Sequence, residues 1–187
     1  MKLYVIRHGQ SATNLSGHYT GWEQIPLTEK GIEDAKAIRP LLSEVRFDKV
    51  YSSDLIRAKT TAVTALPGCK FEETPLLREI NVGSLANQPL SSITETEKEL
   101  TCTEGFGKYG GETRDEMRKR IEEFLKLLES NGHECIAAFS HAGFLRTMLE
   151  MIIGCYIPRN TLLCANCTVA IFEFKNEKWM LHSWINP

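Results

Sequence analysis

The chain has 187 residues, 42% hydrophobic and 25% charged, the proportions of an ordinary globule with one full core. A net charge of −2 argues against a general nucleic-acid-binding surface, so local groups of cations matter more than the total. The N-terminal apolar run, Leu3 to Ile6, is cut by Arg7 and His8 and is no export signal, and no stretch approaches the roughly 20 apolar residues of a membrane helix. One domain spanning 1–187 is expected, cytoplasmic, monomeric or homodimeric, with neither nucleic acid nor membrane as partner.

Lys2 to Ile6 reads as a short buried strand ending in Arg7-His8-Gly9 and passing through Ser11 and Thr13 to Asn14. A buried strand that stops at a cation and an imidazole aims polar groups out of the sheet end, where open α/β sheets bind ligands. Gly9 permits a sharp turn or a close backbone approach to a ligand. The segment from Ser16 to Pro26 reads as a loop, and Thr20-Gly21-Trp22 can fold over the same end or lie on the surface.

Thr28 is a suitable N-cap, and Ile32, Ala35, Ile38, Leu42 and Val45 then recur at helical spacing. Phe47 to Tyr51 is a second strand, ending in Ser52-Ser53-Asp54. Asp54 is read as the N-cap of a helix reaching Leu66, with Arg57 in its first turn. A cation there opposes the helix dipole, a conflict that a bound anion would remove. Pro67-Gly68 ends this helix, and 71–73 forms a minor strand. Glu79 follows between apolar neighbours, a setting that suits a proton donor.

The polar, weakly periodic stretch 83–111 reads as an excursion covering the site, with a short helix near 93–100. Thr113 and Glu116 form a capping box for a helix ending at Asn131-Gly132. Cys135 to Phe139 is the most apolar strand, expected to be central with Cys135 in the core. It ends in Ser140-His141-Ala142-Gly143 before a helix through Ile152, repeating the design of the N-terminus. Thr168 to Phe174 and Trp179 to Trp184 are two strands joined at Asn176-Glu177. The βαβα alternation predicts an α/β fold, a three-layer α/β/α sandwich around a largely parallel sheet.

Six cysteines at 69, 102, 135, 155, 164 and 167 are too sparse for a disulfide scaffold. Cys164-Ala-Asn-Cys167 is a CxxC without a second pair, so reduced structural thiols are expected over a metal or redox role.

Arg7-His8, Ser53 with Arg57, and His141 thus lie at strand ends that a doubly wound sheet can bring to one edge. Singly, Arg57 reads equally as a solvated cation, Glu79 as a half-exposed loop residue and His141 as a structural imidazole. Jointly they suit phosphoryl transfer. His8 attacks phosphorus, kept neutral by the cations around it. Arg7, Arg57 and His141 offset charge on the oxygens. Glu79 protonates the leaving oxygen and then activates water.

Arg7-His8-Gly9 with Asn14, Ser52-Ser53 with Arg57, Arg78-Glu79, Gly110-Gly111-Glu112 and Ser140-His141-Ala142-Gly143 resemble, in order and spacing, the phosphoglycerate-mutase-like branch of the histidine phosphatase superfamily. The resemblance implies that family's fold and a phosphohistidine at His8. It implies a phosphate pocket of Arg7, Arg57 and His141, assisted by Asn14, and Glu79 as acid/base. It also implies no metal and no cofactor. Thr20-Gly21-Trp22 and Leu27 to Gly31 match the next family block, which makes Thr20 and Gly21 substrate-side residues. The interval from Glu79 to His141 is short, and Lys98 is its only cation between Gly83 and Glu104. That favours a small metal-independent phosphomonoesterase acting on a phosphorylated metabolite over a phosphoglycerate mutase. Gly83-Ser84-Leu85-Ala86-Asn87 departs from the Gly-x-Trp-x-Gly-like run common in such phosphatases and leans toward the mutase pattern. A catalytically silent phosphate-ligand or protein-binding module is the third alternative.

Overall fold

The computed structural model describes residues 1–158 and 160–187. Six strands form one sheet in the order β3-β2-β4-β1-β5-β6. β1 (Lys2–Arg7), β2 (Lys49–Ser52), β3 (Glu72–Glu73) and β4 (Cys135–Ser140) run parallel to one another. β5 (Val169–Lys175) and β6 (Lys178–Ile185) add an antiparallel hairpin beyond β1. The sheet is therefore largely parallel, with its antiparallel pair at the C-terminal edge.

Alternation along β1 builds two cores. Leu3 and Val5 face one side, where they join Met117, Ile121 and Phe124 of α6 (Arg114–Ser130) and Leu145 and Met148 of α7 (Ala142–Ile153). Ile6 faces the other, with Ala35 of α2 (Glu29–Ala37), Leu42 of α3 (Arg39–Ser43) and Ala58 and Ala62 of α4 (Ile56–Ala65). Helices thus cover both faces, the three-layer sandwich that the alternation predicts. A short α1 (Ala12–Ser16) follows β1, and α5 (Glu95–Thr103) lies within the 83–111 stretch. No helix among the described residues is long and apolar enough to cross a membrane.

Three local expectations are corrected. The helix predicted from Thr28 to Val45 is two, because Pro40 cannot donate to the Lys36 carbonyl and the chain breaks at Ile38. Asp54 does not cap α4. Leu55 holds the N-cap position, its own N–H goes to Ser53 Oγ, and the Asp54 carboxylate is taken by Arg78 instead. Cys135 is half-buried rather than core, since it opens β4 at the end remote from the site.

Candidate active site

β1 and β4 are adjacent, and their register sets Arg7 opposite Ser140. The next residue, His8, donates its backbone N–H to the Ser140 carbonyl at 3.0 Å. Adjacency alone therefore brings His8 and His141 together, their ring centres 5.1 Å apart. Gly9 is needed for a close approach, though to helix α2 and not to a ligand. A Cβ there would overlap the Gly31 carbonyl, while its N–H donates to Thr61 Oγ1 at 3.0 Å.

A hydrogen bond assigns the His8 tautomer. His8 Nδ1 lies 2.7 Å from the Gly9 carbonyl, which only accepts, so Nδ1 carries the proton and Nε2 keeps its lone pair. His141 Nε2 lies 2.9 Å from Ser53 Oγ. That hydroxyl also accepts from Leu55 N at 3.3 Å, and with two lone pairs and one proton it can serve either tautomer of His141. Burial holds the pKa of His8 well below the usual imidazole range, and Arg57 and Arg7 push the same way against the Gly9 carbonyl. Burial also lowers His141, followed by Arg57 and His8. Both rings are neutral at pH 7.

Arg57 is 1% exposed, and burial lowers its pKa to about 10, with Glu79 pulling it up and Arg7 down. It turns back to the strand end as its position predicts. Protein already resolves its conflict with the helix dipole, because it donates to the carbonyls of Gly21 and Glu23, each at 2.8 Å. Arg7 donates to the Cys164 carbonyl. Arg7 Nε and His141 Nδ1 are buried without a protein partner; an anion's oxygens can satisfy the first, and the second in its Nδ1–H tautomer.

Glu79 closes the group. Its Oε1 accepts from Ile80 N at 2.9 Å and its Oε2 from Gly143 N at 3.2 Å, one of the free amides at the start of α7. Trp22 donates Nε1 to the Glu79 carbonyl at 2.7 Å and stacks under Arg78. Arg7, His8, Asn14, Thr20, Gly21, Arg57 and Glu79 all line one cavity of about 520 Å³. His141 stands behind its wall, fully buried. Among the described residues, no group of three or more His, Cys, Asp or Glu side chains is placed to hold a metal ion.

The sequence matches the family model for the histidine phosphatase superfamily (branch 1) over residues 3–187. The chain belongs to the histidine phosphatase superfamily. A relative from Yersinia pestis, described as "Probable phosphoglycerate mutase GpmB", is 28% identical over 99% of this chain and 90% of its own length. An Escherichia coli crystal structure described as a "putative alpha-ribazole-5'-P phosphatase" is 26% identical, with TM-score 0.85, covering 100% of this chain and 96% of that one. A phosphoglycerate mutase from Thermus thermophilus, 24% identical, shares the fold with TM-score 0.78 over 100% of this chain and 99% of that one.

For a histidine phosphatase superfamily member, the CxxC takes an unexpected part. The Cys164 carbonyl receives Arg7, Cys167 N donates to the His8 carbonyl at 3.3 Å, and Asn166 Nδ2 donates to that carbonyl at 3.1 Å and to Asn14 Oδ1 at 3.2 Å. The loop between the two thiols therefore braces the site by its backbone and amide. Burial pushes the Cys167 thiol up to about 12, which keeps it unreactive. Sequence reasoning missed Asn166 because its partners lie more than 150 positions away. It also missed Arg120, which donates to the carbonyls of Leu76, Arg78 and Glu79 and pairs with Glu112. Its one signal was the Gly110-Gly111-Glu112 motif.

Proposed function

We propose that this protein is a metal-independent phosphomonoesterase that works through a phosphohistidine at His8. One observation carries the reading: the free lone pair on His8 Nε2, fixed by the Gly9 carbonyl, shares a cavity with Arg7, Arg57 and Glu79. His8 Nε2 attacks phosphorus as the bond to the leaving oxygen breaks. Arg7, Arg57 and the His141 Nδ1–H offset charge on the other oxygens, the effect on which phosphoryl transfer chiefly depends. Glu79 gives its proton to the leaving alkoxide. Water then attacks the phosphohistidine, Glu79 takes the water's proton, and the P–N bond breaks to release phosphate and restore the lone pair. Asn14 Oδ1 is occupied by Ser11 N and Asn166, which leaves its amide nitrogen for a phosphate oxygen. Thr20 and Gly21 line the same cavity and are assigned to the substrate side.

The test is hydrolysis of p-nitrophenyl phosphate in EDTA by wild type and His8→Ala, with acid-quenched mass spectrometry. Turnover lost in the variant and an adduct on His8 are expected; turnover surviving His8→Ala overturns the mechanism. The mutase reading has one specific support, the Yersinia relative matched along nearly the whole chain. Exchange of phosphoglycerate isomers that depends on bisphosphoglycerate, without net hydrolysis, would establish it. Neither turnover nor adduct would leave a silent binding module.

A further inference from the structure

We infer that the end of the cavity remote from His8, beyond Arg146, is a charge-neutral subsite, selecting phosphomonoesters of long, uncharged, partly apolar alcohols and rejecting those that carry a second anion that far from the phosphate. This rests on the phosphomonoesterase reading and names the substrate class of that same cavity.

The cavity runs along α7. Ala142 and Gly143 line it at the helix start beside Glu79, Arg146 one turn later and Glu150 two turns later. Eight residues at 1.5 Å each place Glu150 about 12 Å along the axis from the catalytic end. A three-carbon phospho acid ends well short of that distance. The walls between are largely apolar, from Ile80, Val82, Leu90, Phe106 and Ile157. A phosphate held at His8 therefore leaves its alcohol half in an apolar channel.

The far end carries a matched charge pair. Arg114 opens α6 and donates to the Glu150 carboxylate and, at 2.6 Å, to Thr147 Oγ1. Glu150 Oε1 also accepts from Ile157 N at 3.2 Å. Both residues are 8% exposed and both line the cavity. The positive charge of Arg114 is thus matched by Glu150, although its Nε remains a buried donor without a partner. A carboxylate or second phosphate arriving there meets a like charge in a poorly solvated wall. A hydroxyl or amide meets an acceptor and donors without that conflict. Arg146 keeps its charge, since its donation to the Leu162 carbonyl brings no anion to it, but it lies a turn nearer the phosphate, so the neutral part of the cavity is the end beyond it. Rejection by an unfavourable charge is an effective way to discriminate substrates that share the same phosphate.

The test uses two phosphomonoesters of one phenol, 3-(4-phosphooxyphenyl)propanoate and its amide, which differ only in distal charge. Wild type is expected to prefer the amide about tenfold in kcat/KM. Glu150→Gln leaves Arg114 uncompensated, and the preference should vanish or reverse. Arg114→Gln leaves the carboxylate uncompensated, and the preference should grow. Arg114→Gln with Glu150→Gln serves if a single variant does not fold, and its preference should fall below wild type. Equal use of both esters by wild type, or variants that change both in one proportion, overturns the subsite. Should wild type hydrolyse neither these esters nor p-nitrophenyl phosphate, the phosphomonoesterase reading fails by itself. Calorimetric binding of the acid and the amide then decides the subsite, and equal dissociation constants overturn it.

Discussion

The Gly143 amide holds the Glu79 carboxylate at 3.2 Å, and the space a side chain at 143 would fill is occupied by Glu79 Oε1. The glycine of Ser-His-Ala-Gly is therefore required for room and not for an unusual backbone angle. Gly143→Ala should displace the carboxylate and leave the fold intact. Hydrolysis of alkyl phosphates, whose leaving groups need a proton, should slow by about 10²-fold. p-Nitrophenyl phosphate should slow far less, and Glu79→Gln should give the same split. Equal slowing of both substrate types would remove Glu79 from the proton-donor role.

Arg120 and Glu112 form a pair, 12% and 10% exposed, that ties α6 to the segment carrying Glu79. Arg120→Met leaves Glu112 buried and uncompensated. Stability in urea should drop by about 3–5 kcal/mol. An unchanged midpoint would mean that the Glu79 segment is held by its other contacts.

Stability should fall on the acid side. His8 and His141 have folded pKa values below those of the unfolded chain. Their contribution is present above about pH 6.5 and lost as pH falls below it, where the unfolded state binds protons that the folded state refuses. Two such groups allow a slope of up to about 2.7 kcal/mol per pH unit. His141→Asn should halve that slope in a pH series of melts between 6.5 and 5. An unaltered slope would place the titrating groups elsewhere.

Gly31 touches the backbone of Gln10, and a Cβ there would overlap the Gln10 carbonyl. Neither partner is a flexible side chain, so Gly31→Ala must push α2 away from the end of β1. A loss of about 1–3 kcal/mol is expected. Activity should fall with it, since Gly9 packs against Gly31 from the same side. Thermal melts and p-nitrophenyl phosphate turnover check both.

Chelation should leave turnover unchanged, because the proposed mechanism places phosphate charge on Arg7 and Arg57. Loss of activity in EDTA, restored by a divalent cation, would contradict it.

Much of the site was legible because its residues sit at the ends of short apolar strands. Arg7-His8 and His141 each follow a run that can only be buried, so their side chains have one edge to occupy. Asp54 misled because two neighbouring polar groups compete for one helix start. Ser53 took the amide of Leu55, and the charge of Arg78, remote in sequence, drew Asp54 away. Asn166 and Arg120 left little trace, since amides and arginines in loops and on helix faces are ordinary until their partners are known.

By itself the sequence determined the strands, most helix limits and the family, because periodicity, caps and strand-end motifs are local. The tertiary structure decided which atoms of those residues are free. The Ser53 hydroxyl holds His141 Nε2, and the loop between Cys164 and Cys167 braces the site from the far end of the chain. Pairing with Glu150 cancels the charge of Arg114 at the end of the cavity. These are relations between residues 30 to more than 150 positions apart. They follow from the order of strands in the sheet and the two helices packed on one face, which no local pattern encodes.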